Sequence, residues 1–149
     1  MNHDALHILL ADDDDDDRLF FKEAIEEIKV KTVVTMVKDG VELMDYLIRA
    51  ETPLPNLVFL DLNMPRKGGM ECLKEIRSNS KLKDLAVAIY STSALEKDVE
   101  ETFIKGANIY IKKPNNFEEL KTILAKVITI NWHYHTSGLN KKNFLLNIL

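Results

Sequence analysis

"LHILLADDDDDDRLFF", residues 6–21, decides the fold. A short apolar run is followed by six consecutive aspartates, Asp12 to Asp17, and then by a helical pattern. The apolar run has the length and content of a buried strand. Beyond the acids, Phe20, Phe21, Ala24, Ile25 and Ile28 recur at helical spacing, with Lys22, Glu23, Glu26 and Glu27 on the other face. The acids therefore stand at the joint between a strand and a helix. Two carboxylates ~4–5 Å apart at an effective dielectric of ~20 repel by roughly 3–4 kcal/mol. Two such contacts are a large fraction of a domain's stability, so a fold that keeps them needs a reason.

The same strand-then-helix unit recurs along the chain. Residues 31–37, "KTVVTMV", form a β-branched strand, and "DG" at 39–40 turns into a helix over 41–50. "TPLP" at 52–55 ends that helix, because proline cannot continue a helix interior. Residues 56–62 read as a strand, 64–69 as a loop and 70–78 as a helix. Residues 85–91 are a strand and 95–106 a helix stopped by Gly106. Residues 107–113 are the last strand. Residues 116–130 are the last helix, with Asn116 and Glu119 spaced as a capping box. Asp15 is the expected N-cap of the first helix, with the acids around it facing the helix's positive end. Helical crossovers between short apolar strands imply an α/β fold, a parallel sheet with helices on both faces.

The bulk numbers bound the rest. A chain of 149 residues with 46% hydrophobic and 30% charged residues fits one soluble domain, here placed at residues 1–130. Residues 131–149 form a tail too short to be an output domain. The net charge of −4 favours neither nucleic acid nor an anionic membrane. The lone Cys72 cannot form an internal disulfide and is expected in the core of its helix, which suits a cytoplasmic setting. Neither a signal peptide nor a membrane span is expected. In the tail, His133 and His135 lie two apart and share no helix face, so no metal site is expected there. Trp132, Phe144, Leu145, Leu146, Ile148 and Leu149 are expected to pack on the domain itself, on a second protomer or on a partner.

In open parallel sheets, functional residues gather at the C-terminal ends of the strands. Those ends carry Asp12 and Asp13, Asp61, Ser91 and Thr92, and Lys113 before Pro114, with Lys38 and Asp39 flagged less firmly. Hard oxygen ligands without His or Cys favour Mg²⁺. A lysine suits phosphate as a point charge, and a hydroxyl adds a donor. Acid, metal, lysine and hydroxyl make a phosphoryl-transfer site, in which a carboxylate is the nucleophile. Asp61 is the best candidate, ending the middle strand among apolar neighbours, and Asp12 and Asp13 then serve the metal.

Four motifs in order, "LLADDD" (9–14), "LDLNMPRKGG" (60–69), "YSTS" (90–93) and "IKKP" (111–114), resemble the receiver domain of bacterial two-component response regulators. The likeness covers residues 5 to about 130. "DLNMPRKGG", "STS" and "KKPNN" look most like the stand-alone receivers related to cyanobacterial phytochrome response regulators. The resemblance implies a flavodoxin-like (βα)5 doubly wound sheet of strand order 2-1-3-4-5. It implies that Asp61 accepts a phosphoryl group from a sensor histidine kinase, of phytochrome type by the nearer likeness, and also binds Mg²⁺. It further implies Asp13 as a direct metal ligand, Asp12 acting through water, and the Asn63 backbone carbonyl as the third protein ligand. Lys113 would pair with the phosphoryl group, Ser91 and Tyr110 would be the switch pair, and the Lys113–Pro114 bond would be cis. Thr92 is bulkier than the alanine or glycine many receivers carry there, and Asn115 replaces an aromatic. Output would run through a downstream partner, a homodimer or a phosphotransfer protein, with autodephosphorylation but without turnover chemistry.

Two other readings compete. An aspartate-dependent phosphohydrolase needs a second aspartate two residues after the nucleophile, and position 63 is asparagine. A phosphorylation-independent interaction module does not need the intact acids and lysine.

Overall fold

The computed structural model describes residues 5–129 apart from 50 and 52. The tail with His133, His135 and the apolar cluster from Trp132 onward lies outside the described residues. Five strands, β1 (Leu6–Ala11), β2 (Thr32–Val37), β3 (Leu57–Leu60), β4 (Ala86–Ser91) and β5 (Ile109–Lys112), alternate with five helices. The helices are α1 (Asp15–Glu26), α2 (Gly40–Ile48), α3 (Gly69–Ser78), α4 (Glu96–Ile104) and α5 (Phe117–Ile128). The strands pair in parallel in the order β2-β1-β3-β4-β5. The doubly wound flavodoxin-like arrangement expected above is the one observed.

Side chains alternate across a strand, and this alternation divides the core in two. Leu9, Ala11, Val58, Leu60, Val87, Ile89 and Tyr110 face α2, α3 and α4, against Leu43, Leu47, Cys72, Leu73, Ile76 and Val99. Ile8, Leu10, Leu57, Phe59, Tyr90, Ile109 and Ile111 face α1 and α5, against Phe21, Ile25, Leu120, Leu124 and Val127. Phe21, Phe59 and Tyr90 meet edge to face, with centroids 4.9–6.2 Å apart. A strand buried on both faces must be apolar at every position, which is why β1, β3 and β4 read as continuous apolar runs.

Local chemistry sets the ends. Asn116 caps α5 by accepting from the Glu119 N–H at 2.8 Å, as its spacing indicates. Gly106 ends the turn after α4 at φ +96°, a conformation glycine adopts without strain. The cap of α1 is Asp14, which accepts from the Asp17 N–H at 2.9 Å, and not Asp15. The correction has a local cause: Asp12 Oδ1 accepts the Asp14 N–H at 3.0 Å, so the chain has already turned and the helix starts one residue earlier. The Lys113–Pro114 bond is trans, since no peptide bond among the described residues is cis. Trans is the lower-energy form for X–Pro, by about 0.5–1 kcal/mol, and the expectation of a cis bond is overturned.

Candidate functional site

The strand ends bring the acids together. Beyond β1, the Asp12 N–H bonds to the Val37 carbonyl at 3.1 Å, and the Asp61 N–H bonds to the Ala11 carbonyl at 3.0 Å. These bonds carry the ladder past the last formal strand residues and fix both aspartates at one edge. Asp13 is exposed beside them, and carboxylate oxygens of Asp12, Asp13 and Asp61 all lie within 4.8 Å of one another.

From the other side, β4 and β5 end in register, with Ser91 opposite Lys112. The Lys113 N–H bonds to the Ser91 carbonyl at 2.8 Å. This pairing delivers the Lys113 ammonium among the acids. Its Nζ lies 2.9 Å from Asp12 Oδ2, 3.2 Å from Asp61 Oδ2 and 2.7 Å from Asp17 Oδ2. It also sits 5.2 Å from the centre of the Tyr90 ring. Burial alone would lower the Lys113 pKa. Asp17, Asp12 and Asp61 together outweigh that and raise it, so the ammonium stays charged.

One ammonium does not neutralise this many carboxylates. Burial first, then the Asp12 charge, push the Asp61 carboxyl up to about 6, against the opposing pull of Lys113 and the Asn63 N–H. Asp12 is fully buried, and its Oδ2 has no hydrogen-bond partner. Lys113 stands near that oxygen but off the direction of a hydrogen bond. Two buried carboxyl groups, Asp12 and Asp61, thus share one ammonium, which leaves the pocket rich in acid and costly to keep dry. A hard divalent cation resolves the cost, and the all-oxygen set of Asp12, Asp13 and Asp61 fits Mg²⁺ by its chemistry.

The loop after Asp61 is tightly held. Asp61 Oδ1 accepts the Asn63 N–H at 3.2 Å. A Cβ on Gly69 would run into the Asp61 carbonyl, so only glycine lets α3 start against this strand end. Arg66 has a left-handed backbone, φ 65°, which costs a non-glycine residue roughly 1–2 kcal/mol. Its guanidinium grips both carboxylate oxygens of Asp39, at 2.9 and 3.2 Å, while Asp39 caps α2 by accepting from Glu42. Asp39, flagged at the end of β2, is thus a clamp on the loop and not a member of the acid cluster.

Ser91 and Tyr110 both bond to Ser93. Ser91 is buried, and its Oγ accepts the Ser93 N–H at 3.1 Å. Tyr110 is also buried, and its hydroxyl donates to the Ser93 carbonyl at 2.6 Å. The Ser93 hydroxyl donates to Asp98 of α4 at 3.0 Å. Thr92 is exposed on this loop. Lys113, Asp61, Asp12 and Asp13 are brought together as the sequence indicates.

Asp17 is the residue the sequence reading missed. Its charge suits the dipole of α1, yet it makes the shortest contact to Lys113. The usable signal was the four-residue spacing from Asp17 to Phe21, which puts Asp17 one turn before Phe21 on the sheet-facing side of α1.

Comparison with known proteins agrees with this geometry. Residues 8–125 match the model of the response regulator receiver domain. The response regulator Rcp1 of a Synechocystis species is 33% identical over 117 residues, covering 76% of this chain and 80% of that protein. The phosphorylated cyanobacterial phytochrome response regulator RcpA superposes with a TM-score of 0.78 at 33% identity, over 92% of this chain and 98% of that one. The Mn²⁺-bound form of Rcp1 superposes with a TM-score of 0.76 at 28% identity, over 90% and 96% of the two chains. Among the described residues, no helix is long and apolar enough to cross a membrane. Receivers of this kind are signalling proteins that take a phosphoryl group from a histidine kinase, bind Mg²⁺ or Mn²⁺ at an acidic pocket and act on downstream partners. The buried acids, the lysine among them and the matched family together make this chain a member of the response regulator receiver domain family of two-component signalling.

Proposed function

We propose that Asp61 is the phosphoacceptor of this receiver and that Lys113 and Ser91 are its anion-binding partners. The observation that carries this is the surplus of buried carboxyl groups, Asp12 and Asp61, around the one ammonium of Lys113. An Asp61 carboxylate oxygen attacks the phosphorus of a kinase phosphohistidine. An O–P bond forms, the N–P bond breaks, and its electron pair returns to the imidazole. Asp12, Asp13, Asp61 and the Asn63 carbonyl would hold Mg²⁺, with Asp12 acting through water. When bound, the ion supplies positive charge to the phosphoryl oxygens. Lys113 keeps its proton and meets the remaining anionic charge, and the buried Ser91 hydroxyl offers a donor on the same edge. Movement of Ser91 would pull on Ser93, and through it on Tyr110 and α4, which converts a local charge change into a change of surface.

The reaction is a single self-modification reversed by autodephosphorylation, without turnover of small substrates, and we place it in the cytoplasm. The similarity to RcpA and Rcp1 supports a phytochrome-type kinase as the donor. Readout then runs through a docked partner, a phosphotransfer protein or a homodimer. Intact mass after incubation with acetyl phosphate tests the reading. One added phosphoryl group is expected with Mg²⁺, none with a chelator, and none in Asp61→Asn. Multiple turnover of small phosphate esters would favour the phosphohydrolase instead, and no adduct under any condition the inert module.

A further inference from the structure

We propose that Asp17 is a positioning residue that competes with the bound anion for Lys113, and so weakens the hold of the site on a phosphoryl group at Asp61. This rests on the assignment of Asp61 and Lys113 above. The Lys113 ammonium has three N–H donors and is almost fully buried. Asp12, Asp17 and Asp61 surround it, and Asp17 is nearest, at 2.7 Å in hydrogen-bond geometry. Two of its donors are already in hydrogen-bond geometry, to Asp17 and Asp61, so the pull of Asp17 opposes an anion on Asp61 that draws the ammonium toward itself.

Exposure decides which contact is given up. The Asp12 side chain is fully buried and that of Asp61 is 8% exposed, so neither can be hydrated if released. The Asp17 side chain is 32% exposed and can exchange Lys113 for water. It also has room to move, because it lines a cavity of about 320 Å³ with Phe20, Tyr90, Lys113 and Pro114. Asp17 comes from the first turn of α1, whereas the other two acids are fixed by the sheet ladder. The last aspartate of the run is therefore a releasable partner. It holds the ammonium charged and in place beforehand, and it opposes the anion that comes to claim it.

Titration with beryllofluoride in excess Mg²⁺, followed by calorimetry, reads this directly, since that anion mimics an attached phosphoryl group without a covalent step. Asp17→Asn removes the charge and leaves a weaker neutral hydrogen bond, and it should bind beryllofluoride about fivefold more tightly than the wild type. Asp17→Ala, which suits a helix, should move the same way. Asp17→Glu should restore wild-type binding. Asp16→Asn removes the same charge from an exposed neighbour. It should change binding less than about twofold, as expected for an exposed charge. Unchanged or weaker binding in both Asp17→Asn and Asp17→Ala overturns the proposal, as does an equal gain in Asp16→Asn. A wild-type protein that takes no beryllofluoride overturns the underlying assignment of the site, a different outcome from a wild type that binds and variants that bind alike.

Discussion

Two cations are drawn into this domain at opposite ends of the sheet, and they are handled in opposite ways. At the N-terminal ends of the strands, Arg77 bonds the carbonyls of Gly106, Lys83 and Leu85 and the Asn108 side-chain oxygen, all at 2.7–2.9 Å. Its partners are neutral, its bonds are short, and burial lowers its pKa, opposed by Asp84. At the C-terminal ends, Lys113 is shared among three carboxylates, one of them with an oxygen left without a hydrogen bond. A cation saturated by fixed neutral oxygens holds loops in place. A cation among surplus anions is poised to exchange partners. The same strands build both ends, so the difference lies in the residues placed there.

The contrast can be broken at either end. The largest effect falls on Asp61→Asn, which should abolish the phosphoryl adduct completely. It should also leave the metal-free protein more stable at pH 7 in urea unfolding, because it removes a charge the fold disfavours. Arg77→Ala should do the reverse. It leaves several carbonyls unpaired and should cost about 3–4 kcal/mol in the same assay. The folded fraction should still take a phosphoryl group.

The acid dependence is smaller. The Asp61 carboxyl is pushed up to about 6 from an ordinary 3.8. Between those values the folded protein holds a proton that the unfolded chain has lost. Its contribution is therefore complete below pH ~4 and is lost as pH rises through ~6, a change of about 2–3 kcal/mol in metal-free protein. Denaturant midpoints measured across that range, against Asp61→Asn as the baseline, should trace this slope, and Mg²⁺ should remove it. Least of these, Asn116→Ala deletes the cap of α5 without touching a charge and should cost about 1 kcal/mol with no change in adduct yield.

Much of this was legible in the sequence. Continuous apolar runs gave β1, β3 and β4, because strands buried on both faces leave no polar position to blur them. Asn116 gave the start of α5, since its cap is a contact of three residues' reach. Asp12, Asp13, Asp61 and Lys113 could be gathered because a parallel sheet puts strand ends at one edge. What could not be read depended on a rotation or a distant partner. Asp17 is hidden because its partner, Lys113, lies 96 residues away and every acid in the run suits a helix start equally well. The grip of Arg66 on Asp39 joins residues 27 apart through a left-handed backbone that no propensity signals.

In the function proposed above, the crowding of charge around Lys113 receives a phosphoryl group on Asp61. The most direct test is to treat the wild-type protein with acetyl phosphate and Mg²⁺, reduce it with borohydride, and sequence its peptides by mass spectrometry. Reduction of an aspartyl phosphate leaves homoserine at the modified position. Homoserine is expected at position 61 and at none of positions 12 to 17. Homoserine within the aspartate run, or at no position despite a measured adduct, would contradict it.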